Sequence, residues 1–152
     1  MGRKTTVKMG REQFIGTWKL VSFDMQHQDG RRTYPLGKDA VGIIVYDANG
    51  QMSVQIMRPD RPQFAADEQL RGTPAEIKSA FEGFVSYFGL YEVNQKEGTV
   101  THHIKGCLFP NWVGKSQKRF FEFSGNRVTL TTLPMLMVGK QVTAVLIWER
   151  AK

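Results

Sequence analysis

The chain has 152 residues, 41% hydrophobic and 23% charged, the make-up of one soluble globular domain with enough apolar material for a real core. Its single cysteine, Cys107, excludes an intramolecular disulfide and gives no metal pattern, and no apolar run approaches the roughly 18 residues of a membrane helix. The net charge of +7 would suit an anionic partner, but the basic residues gather only in Arg3, Lys4, Lys8 and Arg11, and no stripe alternates them with aromatics. Nucleic acid and membrane are therefore not expected partners. With no signal-peptide pattern at the start, a reducing, cytoplasmic location is expected.

Residues 1–11 show no periodicity and read as a flexible basic arm ahead of one domain at 12–152. Residues 12–25 read as a strand carrying Phe14, Trp18, Leu20, Val21 and Phe23. Within it, Gly16 marks a bend or a close backbone approach before Trp18. Residues 27–40 are polar and glycine-containing, hence a loop, with Arg31 and Arg32 expected in solvent. Two β-like runs, 41–47 and 51–57, flank Asn49-Gly50, whose members can both take positive φ; this is a hairpin. Pro59 and Pro62 then stop the strand.

One helix is signalled. Thr73, Pro74 and Glu76 occupy the N-cap, N1 and N3 positions of a capping box, and Ile77, Ala80, Phe81 and Phe84 follow at helical spacing. A lone short helix in such a chain plugs or flanks a sheet, and Phe64 and Leu70 are expected to pack on it. Strands are read at 87–94, 99–108, 116–124, 127–133 and 141–150, with loops at 109–115 and a Met-rich 134–140. The order is that of an all-β antiparallel meander of eight strands, with the helix between the third and fourth. Closure into an up-and-down β-barrel removes the sheet edges and leaves room for a ligand, while a β-sandwich is the competing architecture.

Charges declare the outward faces of three strands. Lys118 and Glu122 place Gln117, Arg119, Phe121 and Phe123 inside, with Phe120 lying among the charges. Lys105 sends Thr101 and His103 outward and Val100, His102 and Ile104 inward. Glu92 and Asn94 leave Tyr87, Gly89, Tyr91 and Val93 inside. Val128, Leu130 and Thr132 also look inward, whereas 142–148 is apolar on both faces. Tyr91, His102, Gln117 and Arg119 are thus polar intrusions in an apolar interior. A buried arginine without an inward carboxylate suits an anionic or carbonyl-bearing ligand.

Gly16-Thr17-Trp18 and the terminal Trp148-Glu149-Arg150 resemble the lipocalin signature. That resemblance implies that Trp18 forms the barrel floor, with Arg150 stacked across it. The segments GTWKLVSF, QMSVQIMRP, YFGLYEV, THHIKG, FPNWVGKSQKRFFEF and LIWER extend the likeness over residues 13–150. Together they are similar to the lipocalin-like domain family of small bacterial and fungal intracellular calycin barrels. The resemblance implies binding of a small apolar molecule, and some similar barrels act as cyclases or isomerases.

The leading expectation is a binding module for a small hydrophobic or aromatic ligand, its polar end near Arg119, Gln117, His102 and Tyr91, with Trp112 at the rim. The competing structural expectation is that these polar groups only satisfy one another. A cofactor-independent isomerase or cyclase is the alternative, His102 or Tyr91 moving a proton while Arg119 holds an oxyanion. Haem ligation by His102 has nothing further in its favour. His102 and His103 face opposite ways and cannot share a metal, so no metal and no cofactor are expected. Met135 and Met137 form a pliable second rim, and Arg58 and Arg61 beside their prolines are expected to face solvent. Cys107 reads as a small buried apolar residue. An open sheet edge or the outer face of 142–148 could support a homodimer.

Overall fold

The computed structural model describes residues 10–152. Most of the expected basic arm, residues 1–9, lies outside the described residues. The described residues open with α1 (Arg11–Phe14), followed by β1 (Gly16–His27), β2 (Arg32–Thr33), β3 (Val41–Tyr46) and β4 (Gln51–Met57). Then come α2 (Pro74–Glu82), β5 (Phe84–Asn94), β6 (Thr99–Cys107), a 3-10 turn (Pro110–Trp112), β7 (Ser116–Ser124), β8 (Arg127–Thr132), β9 (Met135–Met137) and β10 (Lys140–Arg150). Sheet order is β2-β1-β3-β4-β5-β6-β7-β8-β10-β9, and β1 also pairs with β10. That last pairing, from Trp18↔Arg150 to His27↔Val142, closes eight antiparallel strands into a barrel. The fold is the expected all-β barrel with one flanking helix, not a sandwich.

Closure depends on a slip in β1. Leu20 faces Trp148 but the next pair is Ser22↔Ile147, so Val21 is extra. This bulge flips the side-chain parity, allowing Trp18 before it and Phe23 and Met25 after it all to be buried. Residues 11–14, expected in an arm and a strand, instead form α1, which seats Phe14 at 0% exposure in the barrel end. Its ring meets Tyr46, Phe121 and Phe123 edge-on, at centroid distances of 5.2, 5.1 and 5.0 Å. At the same end the Arg11 guanidinium donates to the Ala48 carbonyl at 2.8 Å.

The floor has the architecture implied by the lipocalin resemblance. Trp18 is 1% exposed, and its indole N–H donates to the Phe14 carbonyl at 2.9 Å. Arg150 lies 4.1 Å above the Trp18 ring and donates to the carbonyls of Ile15 and Gln13 at 2.9 and 2.6 Å. Gly16 has φ +130, and a Cβ there would sit 3.0 Å from the Arg150 guanidinium. Both the backbone angle and the space call for glycine.

The hairpin at 47–51 forms as expected but with a different turn. Asp47 Oδ1 accepts from the Asn49 and Gln51 amides at 2.9 and 2.8 Å, and only Gly50 takes positive φ. The aspartate captures the turn amides and so replaces the two-positive-φ geometry read from Asn-Gly. The α2 capping box is present, Thr73 Oγ1 accepting from the Glu76 amide and Glu76 accepting from the Thr73 amide. Glu76 also accepts from the Ala65 amide, and these backbone bonds lower its pKa. Phe84, read as part of the helical face, begins β5 opposite Met57, and Leu70 is 91% exposed rather than packed on α2. Two short strands, β2 and β9, extend into segments read as loops.

On β5, Gly89 sits at a second register slip against β6, where a Cβ would come within 1.9 Å of the His103 carbonyl oxygen. Gly89→Ala is therefore expected to break the local β5–β6 pairing and lower stability by about 2–3 kcal/mol, as overpacking of this kind does. Urea unfolding of the variant beside the parent measures it. An unchanged midpoint would show that the strands part at little cost.

Candidate ligand-binding site

The inward faces of the barrel leave a cavity of about 380 Å³, within the size range of small-molecule sites. Its walls are mainly apolar, with Phe23, Met25, Ile44, Val54, Ile56 and Trp148 among them. Leu36, 3% exposed, reaches the lumen from the segment after β2. That segment is held by Arg58, which donates to the Pro35 carbonyl at 2.9 Å. Arg61 donates to the Ala80 carbonyl and stacks on Phe84 at 4.9 Å, so neither arginine is simply solvated. Trp112, Met135 and Met137 line both the lumen and an adjoining mouth groove of about 670 Å³. The Trp112 ring meets Tyr87 edge-on at 6.2 Å.

Tyr87, His102, Arg119 and Thr132 are the polar residues set into the wall, with Glu82 at the mouth. His102 is 1% exposed and lies between two tyrosines. Its Nε2 is 2.8 Å from the Tyr46 hydroxyl and its Nδ1 is 2.7 Å from the Tyr87 hydroxyl. Burial, with the Arg119 cation and His103 adding to it, pushes the His102 pKa well below its ordinary 6.5, so the ring is neutral at pH 7. Burial likewise pushes Tyr46 well above 10 and raises Tyr87, for which the Arg119 cation opposes the rise. All three groups are uncharged.

Arg119 donates to Gln117 Oε1 at 2.6 Å, and no carboxylate pairs with it among the described residues. It is half-buried and borders both lumen and mouth, whereas Gln117 borders the mouth groove alone. Tyr91 is buried, but its hydroxyl donates to the Asp47 carbonyl at 2.7 Å, toward the closed end, and the residue does not line the lumen. His103 faces outward as expected, bonded to Ser116 and Glu92. Cys107 is half-buried beside the mouth rather than fully buried. Among the described residues no group of three His, Cys, Asp or Glu could hold a metal, and no helix is long and apolar enough to cross a membrane.

The sequence does not single out the partners of His102. Tyr87 was legible by parity with Tyr91 but carried no mark of a special role. Tyr46 lies in the run read as 41–47, whose only charge, Asp47, sits in the hairpin turn; the strand itself ends at Tyr46.

An eight-stranded antiparallel barrel, plugged at one end by α1 and opening at the other from an apolar lumen, is the architecture of the small-molecule-binding calycin barrels. The chain belongs to the lipocalin-like domain family, whose model matches residues 15–151. It is 31% identical over 106 residues to the 4'-hydroxy-3'-methoxypropiophenone carrier protein ppsC of Aspergillus oryzae (strain ATCC 42149 / RIB 40). The match covers 65% of this chain and 96% of that protein.

Proposed function

We propose that the protein is a carrier for a small aromatic molecule with an oxygenated end, held in the barrel lumen. The observation that carries this reading is Arg119, a cation without a carboxylate partner among the described residues, set into the wall of an apolar cavity of about 380 Å³. The aromatic ring lies among the aliphatic and aromatic walls, and the oxygen reaches Arg119 and Tyr87. Trp112 and the methionines Met135 and Met137 close over it at the rim, where flexible thioethers adapt to ligand shape. The related carrier's name, which specifies an aryl ketone, supports the same ligand class. Carriage is favoured over isomerase or cyclase chemistry because both His102 nitrogens are engaged and the Tyr91 hydroxyl is bonded to Asp47.

Titration with a fluorescent apolar probe, followed by displacement with 4'-hydroxy-3'-methoxypropiophenone, tests the reading. Probe binding at one site and competitive displacement are expected. Arg119→Met, which keeps much of the side-chain volume, is expected to weaken the ketone about tenfold or more and the apolar probe little. Absence of binding by both compounds would overturn the carrier reading.

A further inference from the structure

The three buried groups Tyr46, His102 and Tyr87 form a continuous hydrogen-bonded chain from the plugged end of the barrel to the lumen. The direction of that chain follows from counting donors and acceptors. Tyr46 is 1% exposed and does not line the lumen, and the only polar partner of its hydroxyl among the described residues is His102 Nε2. A buried hydroxyl proton without an acceptor is costly, so Tyr46 donates to Nε2. Nε2 must then be unprotonated. A neutral imidazole carries its proton on the other nitrogen, which makes Nδ1 a donor to the Tyr87 oxygen. The opposite tautomer, and a doubly protonated ring as well, would each leave the Tyr46 proton stranded in the core.

Tyr87 therefore accepts from His102 and retains its own proton for another partner. The nearby Arg119 guanidinium offers only donors and cannot take that proton. Trp148, which also lines the lumen, has an indole N–H buried without a partner among the described residues. Thr132 Oγ1 already accepts from the Ala144 amide at 2.9 Å. Deep in the lumen the free polar groups thus offer mainly donors; Thr132 Oγ1 keeps one lone pair beside its own O–H, and the Glu82 carboxylate stands at the mouth.

We propose that Tyr46 and His102 are positioning residues of a one-way relay that holds the Tyr87 hydroxyl as a hydrogen-bond donor to the ligand, so that the lumen selects molecules by an acceptor oxygen, a carbonyl above all. The proposal rests on the carrier reading and specifies what that carrier recognises. A donor fed by another donor is polarised and strengthened, and a desolvated carbonyl that loses it is left unpaired. A ligand whose buried end offers only donors meets further donors at Arg119 and Trp148.

Two measurements test it. In apo protein, ¹⁵N NMR of the histidine rings is expected to show His102 protonated at Nδ1 and bare at Nε2; protonation at Nε2 overturns the relay. Propiophenone and propylbenzene, which share a carbon skeleton, are then titrated into parent and Tyr87→Phe. Loss of the hydroxyl is expected to weaken propiophenone about tenfold and propylbenzene less than about twofold. The carbonyl stretch of bound ¹³C-labelled propiophenone should lie at lower frequency in the parent than in an apolar solvent and move back in the variant. Should Tyr87→Phe fail to fold, the ring tautomer and the parent's carbonyl frequency decide alone. Propylbenzene binding with an unchanged ketone affinity in Tyr87→Phe overturns the relay and leaves the carrier intact. Absence of binding by both compounds overturns both.

Discussion

Trp18→Ala is expected to bring the barrel to the edge of unfolding. The residue is 1% exposed on the floor, and removing a buried tryptophan costs about 3–5 kcal/mol in transfer and cavity terms. Further loss comes from its attachments. The indole N–H is one of the bonds that tie α1, and with it Phe14, to the barrel end, beside those from Arg150 to Gln13 and from Arg11 to Ala48. The Arg150 guanidinium stacks 4.1 Å away and would face a void. A domain of this kind has only about 5–15 kcal/mol to lose. Guanidinium unfolding followed by far-ultraviolet circular dichroism should show a large fall in midpoint for Trp18→Ala and a smaller one for Trp18→Phe, which fills more of the cavity but lacks the N–H. A midpoint for Trp18→Ala within experimental scatter of the parent would mean that the floor is a mark of ancestry and not a structural keystone.

The second large effect is a loss of stability in mild acid. His102 is hydrogen-bonded to Tyr46 and Tyr87 and lies near the Arg119 cation, with His103 on the opposite face of β6. Its pKa in the folded chain is depressed well below 6.5, mainly by burial. In the unfolded chain it reverts to the ordinary value and takes up a proton as pH falls through 6.5, while the folded chain does not. Folding stability contributed by this residue is thus fully present above that pH and is lost below it, by up to about 1.4 kcal/mol per pH unit. The loss stops growing once the folded state itself protonates. Urea unfolding between pH 7.5 and 5, compared with His102→Gln, isolates the effect because the other titrating groups are common to both proteins. The variant's slope should be shallower by one proton; parallel curves would show that His102 is not held neutral.

Much of the frame was legible because strands with one charged face announce their orientation. Lys118 and Glu122 on β7, and Lys105 on β6, suffice to turn Arg119 and His102 inward. The floor was legible for a different reason, since Gly16, Trp18 and Arg150 form a pattern of residue types shared with lipocalins. The segment 11–14 misled because Phe14 continues the apolar run into Trp18, and a single helical turn has no periodicity of its own. Tyr46 stayed hidden because the only charge in its run, Asp47, belongs to the hairpin turn and is a poor parity reference. Tyr91 was grouped with the site by parity, which reports the face but not the depth along the barrel. It proved to bond at the closed end.

The sequence by itself determined the strand count of the barrel, the helix and its cap, the inward faces of three strands and the family likeness. These are properties of local alternation, turn chemistry and residue pattern, which act within a few residues. Only the tertiary structure decided which polar groups meet. The contact between Tyr46 and His102 joins residues 56 apart in the chain, and that between Arg150 and Ile15 joins residues 135 apart. Such meetings depend on barrel closure and on a bulge at Val21; the apolar positions of β1 shift there from Trp18 and Leu20 to Val21, Phe23 and Met25, but that shift does not name the partner strand. The neutrality of His102 is likewise set by its neighbours and by the water they exclude, not by its place in Thr-His-His-Ile.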